Sequence, residues 1–177
     1  TTTADDGARR PQFVRCDGAP ALLPVLSSSE EVATAAAAGA KDIQLRLKGR
    51  LAGAALRSEV EAAQAACAAN GARLWVNDDW REAATVGAYG VHVGQGDLDG
   101  ISRPEIDEMA RAGLRLGVST HSYAELARAL ALRPSYISLG PVFETRSKDT
   151  GFDPQGLARV SEWRDLVPAD TPLVAIG

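Results

Sequence analysis

The chain has 177 residues, enough for one domain with a sizeable hydrophobic core. Its formal net charge of −4 argues against a nucleic-acid-binding surface, so an anion would have to meet a local cluster of cations. The two cysteines are too few for a disulfide framework, and we expect unpaired thiols in the cytoplasm. No apolar run approaches the ~20 residues of a membrane span, and residues 1–15 do not resemble a secretory signal.

A short apolar run, a polar turn and an Ala/Leu-rich helical pattern recur along the chain. The predicted strands cover residues 21–26, 42–47, 73–77, 90–94, 115–119, 136–140 and 172–177. Helical patterns between them include residues 29–38, 53–70, 104–112 and 123–132. Ser28 with Glu31 can cap the first helix, and Asn70-Gly71 can end the second in the left-handed conformation.

The order of these elements predicts an α/β fold with a parallel sheet. The strands barely alternate between apolar and polar residues, which indicates burial on both faces under helices. An open doubly wound sheet is the alternative, but the first turns lack its G-x-G-x-x-G fingerprint. Polar residues follow nearly every strand, and we therefore favour a (β/α)8 TIM barrel. Only seven strands are found, so we expect the eighth βα unit to be absent. We divide the chain into a flexible N-terminal extension (1–20) and a C-terminally incomplete barrel domain (21–177).

The second predicted strand ends in a cluster of cations. Gln44, Arg46 and Lys48 alternate and therefore point to the same face. Two cations at a barrel mouth are costly unless they meet an anion, and an Arg fork beside a Lys suits a phosphate or diphosphate. A salt-bridged sheet face is the alternative interpretation.

Carboxylates follow the third and fourth strands. Asp78 and Asp97 are candidate Mg²⁺ ligands, because Mg²⁺ is commonly held by one or two carboxylates together with substrate phosphates. Each could instead cap a helix or a turn, and Asp79 fits that role well. His92 lies on the fourth strand and is expected to be packed or to orient a substrate, not to act as a general base.

Hydroxyl groups follow the fifth and sixth strands. Ser119 can donate a hydrogen bond to a phosphate oxygen, and the hydroxyls, Lys and Gly of residues 140–151 suit an anion-gripping loop. A plain surface loop is the alternative for this segment. His121 is expected to be the more exposed histidine and could transfer a proton. The sequence offers no covalent nucleophile of the G-x-S-x-G type and no zinc-ligand pair.

Six motifs occur in an order and spacing that resemble one enzyme family. They are QLRLK, VNDDWR, GVHVGQGDL, LGVSTHS, SYISLGPVFETRSK and PLVAIG, and they resemble the thiamine-phosphate synthases from about Leu23 to Gly177. The resemblance implies a (β/α)8 barrel with a diphosphate site at its top. Three departures stand out: Ser147 where the family often has Thr, Glu144 where it often has Pro, and an end at Gly177 where relatives continue.

The resemblance also assigns roles to individual residues. The diphosphate of the hydroxymethylpyrimidine substrate would be held by Arg46, Lys48, Asn77, Ser119 and Lys148. Mg²⁺ would be held by Asp78 and Asp97. The pyrimidine would contact Gln44 with His92 close to it, and the thiazole phosphate would be held by Thr145, Ser147 and Gly177. Arg46, Lys48, Ser119 and Lys148 would also act in catalysis.

The implied reaction joins the pyrimidine diphosphate to the thiazole phosphate, giving thiamine phosphate and diphosphate through a dissociative substitution. The implied partners are these small molecules, with no nucleic acid or membrane, and a homo-oligomer stays open. One alternative is a thiazole tautomerase on a similar barrel, which would use a histidine at His121 but has no use for the Mg²⁺ ligands. A non-catalytic phosphate-ligand-binding domain is the second alternative.

Overall fold

The computed structural model describes residues 11–49, 51–144 and 152–177. Strands and helices alternate in chain order through the described part, except that two helices lie between the fourth and fifth strands. The strands are β1 (Val25–Leu26), β2 (Asp42–Leu45), β3 (Arg73–Asn77), β4 (Gly90–Val93), β5 (Arg115–Thr120), β6 (Tyr136–Leu139) and β7 (Leu173–Ala175). The helices are α1 (Ser29–Ala37), α2 (Gly53–Ala69), α3 (Trp80–Thr85), α4 (Gln95–Asp99), α5 (Arg103–Arg111), α6 (Tyr123–Ala131) and α7 (Gly156–Leu166).

All the strands pair in parallel, in the order β1-β2-β3-β4-β5-β6-β7. Each predicted strand is found, so the predicted α/β class with a parallel sheet is confirmed. The sheet curls, because residues of β1 at one edge and Ile176, just after β7 at the other edge, line the same cavity. The closure of this sheet into an eight-stranded barrel stays a prediction.

The two faces of the sheet are packed differently. Alternate strand residues on one face are fully or nearly fully buried and form a hydrophobic cluster with apolar helix residues, as the parallel α/β architecture requires. On the sheet this cluster includes Ile43, Leu74, Val91, Leu116 and Ile137, and on the helices it includes Val32, Val60 and Met109. This hydrophobic layer is what fixes the strands, and the other face carries the polar residues.

Two aromatic rings fill the middle of that other face, each beside a glycine. Trp75 pairs with Gly90 on the neighbouring strand, and Tyr136 pairs with Gly117. A Cβ at Gly90 would lie 2.5 Å from the Trp75 ring, and one at Gly117 would lie 2.3 Å from the Tyr136 ring. Both glycines are therefore required for space, and the rings pack edge to face with centroids 4.8 Å apart.

The segment before β1 lies against the amino ends of the strands. Phe13 is buried, and the Val14 carbonyl accepts a hydrogen bond from Ser135 Oγ at 2.6 Å. Arg115, the first residue of β5, donates to the Arg15 carbonyl at 2.9 Å. These contacts cover one end of the sheet, and the predicted division of the chain at residue 20 stays a prediction.

The predicted helix signals are found at α1 and α2. Ser28 Oγ accepts the Glu31 N–H at 3.2 Å, and the Glu31 carboxylate accepts from the backbone N–H of Ser27 at 2.7 Å. Asn70 is the C-cap residue of α2, and Gly71 follows it in the left-handed conformation with φ +61°. Among the described residues, no helix has both the length and the apolar character needed to cross a membrane.

Candidate active site

A cavity of about 660 Å³ opens at the carboxyl ends of the strands. It is where most of the predicted site residues meet, because parallel strands bring their carboxyl ends to one edge. The predicted residues that line it are Gln44, Arg46, Lys48, Asn77, Asp78, His92, Asp97, Ser119 and Gly177. Three further predicted residues, Thr145, Ser147 and Lys148, lie outside the described residues.

The cations of the cavity follow β2. Arg46 is partly exposed, and its guanidinium makes no hydrogen bond or ion pair to any residue that the structure describes. This disfavours the salt-bridged sheet face considered for Arg46 and leaves its five donors available to an anion. Lys48 adopts φ +54°, a left-handed conformation that is uncommon for a residue with a side chain and that concentrates at functional sites.

A line of amide and carboxylate groups runs across the ends of β2 and β3. Gln44 Nε2 donates to Asn77 Oδ1 at 2.8 Å, and Asn77 Nδ2 donates in turn to Asp78 Oδ2. Asp78 has φ +67°, and its Oδ1 is buried with no hydrogen-bond partner among the described residues. A buried carboxylate oxygen without a donor is costly, so this atom is suited to binding a cation.

Asp97 lies beside Asp78, and the two carboxylates interact. Burial, together with the negative charge of the adjacent Asp97, raises the pKa of Asp78 to about 7. Asp97 also caps α4, since its Oδ2 accepts the Gly94 N–H at 3.2 Å. Asp97 therefore has the helix-capping role considered for it, in addition to its place beside Asp78. Asp79 stands at the N-cap position of α3, but contrary to expectation its side chain makes no capping hydrogen bond.

The donor set of this carboxylate pair fits Mg²⁺. In the part of the chain that the structure describes, no group of three or more His, Cys, Asp or Glu side chains could hold a metal ion. Two neighbouring carboxylates leave most of the coordination to water and substrate oxygens, which is the arrangement Mg²⁺ usually has. A divalent cation would also relieve the repulsion that raises the pKa of Asp78.

His92 lies in the middle of the polar face and is almost fully buried. Its Nδ1 is 2.6 Å from the Tyr136 hydroxyl, and its Nε2 is 2.8 Å from Ser119 Oγ. Ser138 Oγ lies 3.4 Å from Ser119 Oγ. These contacts show a packed imidazole, and the expectation that His92 orients a substrate stays a prediction.

His121 is at the rim of the cavity and is the more exposed histidine, as expected. Its Nδ1 is 2.9 Å from Glu125 Oε2, which also accepts the His121 backbone N–H at 2.6 Å. The ring stacks on Phe152 with centroids 4.8 Å apart. The imidazole is thus held by one carboxylate and one aromatic ring.

Sequence reasoning missed the contribution of β6. Ser138 and Gly140 line the cavity, and Tyr136 supports it from below through His92. The signal was present, because these three residues alternate along the strand and so share one face. Glu144, one of the departures from the family pattern, is exposed.

Comparisons with known proteins show which family the chain belongs to. The family described as thiamine monophosphate synthase matches residues 24–177. The thiamine-phosphate synthase of Neisseria meningitidis serogroup B is 45% identical over 153 residues, which are 86% of this chain and 72% of the relative. That of Serratia proteamaculans is 46% identical over 157 residues, covering 88% of this chain and 71% of the relative.

A solved structure is also similar to this chain. The thiamine phosphate pyrophosphorylase from Pyrococcus furiosus superposes with a TM-score of 0.72 at 25% identity, covering 88% of this chain and 74% of that one. Because the similarity covers 88% of this chain, it concerns the fold and not a single motif. The resemblance stated from the six sequence motifs is thereby confirmed. The chain belongs to the thiamine monophosphate synthase family.

Proposed function

We propose that this chain condenses 4-amino-2-methyl-5-hydroxymethylpyrimidine diphosphate with 4-methyl-5-(2-hydroxyethyl)thiazole phosphate, releasing thiamine phosphate and diphosphate. One observation carries the proposal: cations after β2 and carboxylates after β3 and β4 line a single cavity. Relatives that are 45% and 46% identical bear the name thiamine-phosphate synthase, which supports the same reaction.

The diphosphate is proposed to bind at the cationic side of the cavity. Arg46 and Lys48 supply positive charge, while Asn77 and Ser119 supply uncharged donors. Lys148 is proposed to complete this set from the loop after β6. These groups stabilise negative charge best when it has grown on the leaving diphosphate, which lowers the barrier to departure.

Asp78 and Asp97 are proposed to hold Mg²⁺ at the edge of the diphosphate site. The bound ion supplies charge neutralisation for the departing diphosphate oxygens. The hydrogen bonds from Gln44 to Asn77 and from Asn77 to Asp78 keep Asp78 Oδ1 turned away from the amide groups. This chain of donors therefore orients the carboxylate before a ligand arrives.

Gln44 is proposed to contact the pyrimidine, with His92 close to the ring. Thr145, Ser147 and Gly177 are proposed to hold the thiazole phosphate. The bond between the pyrimidine methylene carbon and the diphosphate oxygen breaks first, and the electron pair leaves with diphosphate. The aminopyrimidine delocalises the resulting cation until the thiazole nitrogen lone pair forms the new C–N bond. No strong base is needed, because no proton has to be removed in these steps.

Finer features of the protein are proposed on the same basis. We propose a (β/α)8 barrel, supported by a cavity that reaches from β1 to the end of β7 and by the superposition on the Pyrococcus furiosus structure. Residues 21–177 would form this domain behind an extension of residues 1–20. A cytoplasmic location suits two cysteines that are free in the structure.

The proposal is tested by replacing Asp78 and, as a matched control, its neighbour Asp79. With both substrates and Mg²⁺ present, Asp78→Asn should lower thiamine phosphate formation about 1,000-fold, because the charge that holds the metal is lost. Asp79 does not line the cavity, and Asp79→Asn should keep most of the activity. Equal activity of the two variants would reject the metal-diphosphate mechanism.

The contacts of His121 keep the tautomerase as a second candidate. An imidazole held by Glu125 at the cavity rim is a reasonable proton-transfer group. His121→Ala separates the two functions, since the synthase does not need this group. We expect the variant to retain most thiamine phosphate formation. Loss of a thiazole-phosphate isomerisation in the same variant, with no synthase activity in the parent protein, would favour the tautomerase.

A further inference from the structure

Three polar side chains form a continuous chain from the buried layer of the sheet to the cavity. Tyr136 is fully buried between Trp75 and Gly117, and its hydroxyl is 2.6 Å from His92 Nδ1. The other ring nitrogen, Nε2, is 2.8 Å from Ser119 Oγ. Of these three side chains, only Ser119 is partly exposed, and it lines the cavity.

The Tyr136 hydroxyl determines the direction of these hydrogen bonds. Its sole hydrogen-bond partner among the described residues is His92 Nδ1. Burial raises the pKa of Tyr136 well above its usual range, so the hydroxyl keeps its hydrogen and must donate it. Were Nδ1 the donor instead, a buried O–H would have no acceptor, which costs more than the alternative tautomer.

The tautomer of His92 in turn determines which hydrogen bonds Ser119 accepts. If Nδ1 accepts, the ring hydrogen is on Nε2 and is donated to Ser119 Oγ. Ser138 Oγ, at 3.4 Å, also donates towards Ser119 Oγ. With hydrogen bonds arriving from two sides, Ser119 has only its own O–H left to offer. That hydrogen is then available to a ligand oxygen in the cavity.

We infer that Tyr136 is a positioning residue that, by fixing His92 as the Nε2–H tautomer, makes Ser119 a hydrogen-bond donor to an anion in the cavity. Gly117 is required for this arrangement, because any larger residue there would displace the Tyr136 ring. Identifying the anion as diphosphate rests on the proposed function, whereas the tautomer itself does not.

The tautomer can be measured directly in the unliganded protein. The chain has two histidines, so ¹⁵N-histidine spectra of the His121→Gln variant assign the His92 signals without ambiguity. We expect a protonated Nε2 and an unprotonated Nδ1 in the parent protein. In Tyr136→Phe the ring should become a mixture of both tautomers. A protonated Nδ1 in the parent protein overturns the inference, even if Tyr136→Phe fails to fold.

A double-mutant cycle tests the effect on Ser119, using inorganic diphosphate with Mg²⁺ as the ligand and calorimetry as the measurement. We expect Tyr136→Phe to weaken binding about fivefold and Ser119→Ala about tenfold, as the loss of one hydrogen bond to a charged group would do. In the Ser119→Ala background, Tyr136→Phe should change binding less than about twofold.

The coupling excludes a merely structural role. If removing the hydroxyl only loosened the packing, binding would weaken by the same factor with and without Ser119, and the inference would be wrong. Tyr123→Phe is the matched control, because this tyrosine is half exposed, donates to Glu162 and does not line the cavity. Diphosphate binding that shows the coupling without any thiamine phosphate formation would reject the proposed function but keep the inference.

Discussion

The two ends of the parallel sheet treat their charges in opposite ways. At the amino end, Asp42 is 2% exposed and accepts hydrogen bonds from Arg73 Nε at 2.8 Å and Trp75 Nε1 at 3.2 Å. At the carboxyl end, the Arg46 guanidinium makes no hydrogen bond or ion pair to the described residues, and Asp78 has a carboxylate, Asp97, as its neighbour. The buried carboxylate at the first end is satisfied by hydrogen bonds, whereas Asp78 at the second end faces a like charge and keeps Oδ1 without a donor among the described residues.

Positive φ angles at residues other than glycine occur at both ends of the sheet. Lys48 and Asp78 adopt them at the carboxyl end, and Arg133 adopts one in the turn before β6 at the amino end. Strained conformations and unmet charges persist only where the rest of the structure is stable enough to impose them. The contrast between the two charge arrangements indicates that the amino end stabilises the fold. The carboxyl end lowers the stability of the fold, and its groups can instead bind a ligand and a cation.

The largest effect is expected from Asp42→Ala at the amino end. The change leaves Arg73 and the Trp75 N–H without their buried acceptor and should lower the free energy of unfolding by about 3 kcal/mol. Urea denaturation measures this difference. Asp42→Asn retains an acceptor oxygen and should cost clearly less. A loss below about 1 kcal/mol for the alanine variant would mean that the amino end does not hold the fold together.

The opposite sign is expected from Asp78→Asn at the carboxyl end. Asparagine tolerates the left-handed backbone and removes the charge that burial and Asp97 disfavour. Without Mg²⁺ at pH 8, the free energy of unfolding of the variant should exceed that of the parent by about 1 to 2 kcal/mol, a figure that allows for solvent screening. The variant should therefore unfold at a higher urea concentration. Added Mg²⁺ should stabilise the parent protein but not the variant.

The pH dependence of this difference follows from the pKa of Asp78. Because the folded pKa, about 7, is above the unfolded value, the folded state binds the proton more tightly. The cost of the charge is therefore absent below about pH 4, grows as the pH rises and is complete above about pH 7. The stability gain of Asp78→Asn should follow that course. A gain that is constant from pH 4 to 8 would contradict the assigned cause.

Much of this contrast could be predicted from the sequence. The strands are short apolar runs bounded by turns, and polar residues placed just after them must meet at one edge of a parallel sheet. These two rules predict that Arg46 and Asp78 lie at the same end of the sheet, and both line the cavity. It depends only on the period of a strand and the direction of the sheet.

Contacts between strands could not be predicted in this way. The space that Gly117 leaves for the Tyr136 ring depends on the register of β5 against β6, which neither strand reveals alone. The hydrogen bond from Tyr136 to His92 joins residues 44 positions apart. For the same reason the contacts of residues 13–17 with the strand ends were not expected, since those residues form no strand or helix of their own.

The smallest effect is expected from Asp17→Ala, which tests how strongly the N-terminal segment is held at the amino end. The Asp17 carboxylate is 2.9 Å from an Arg115 nitrogen, but it is 72% exposed, and such pairs contribute about 0.5 kcal/mol. The Asp17 backbone contacts do not depend on the side chain: its carbonyl accepts from Arg73 at 2.7 Å, and its N–H donates to the Tyr89 hydroxyl at 2.7 Å. We therefore expect a small loss in urea denaturation that disappears at about 1 M salt. A loss as large as that of Asp42→Ala would mean that the segment is held mainly by its charge and not by its backbone.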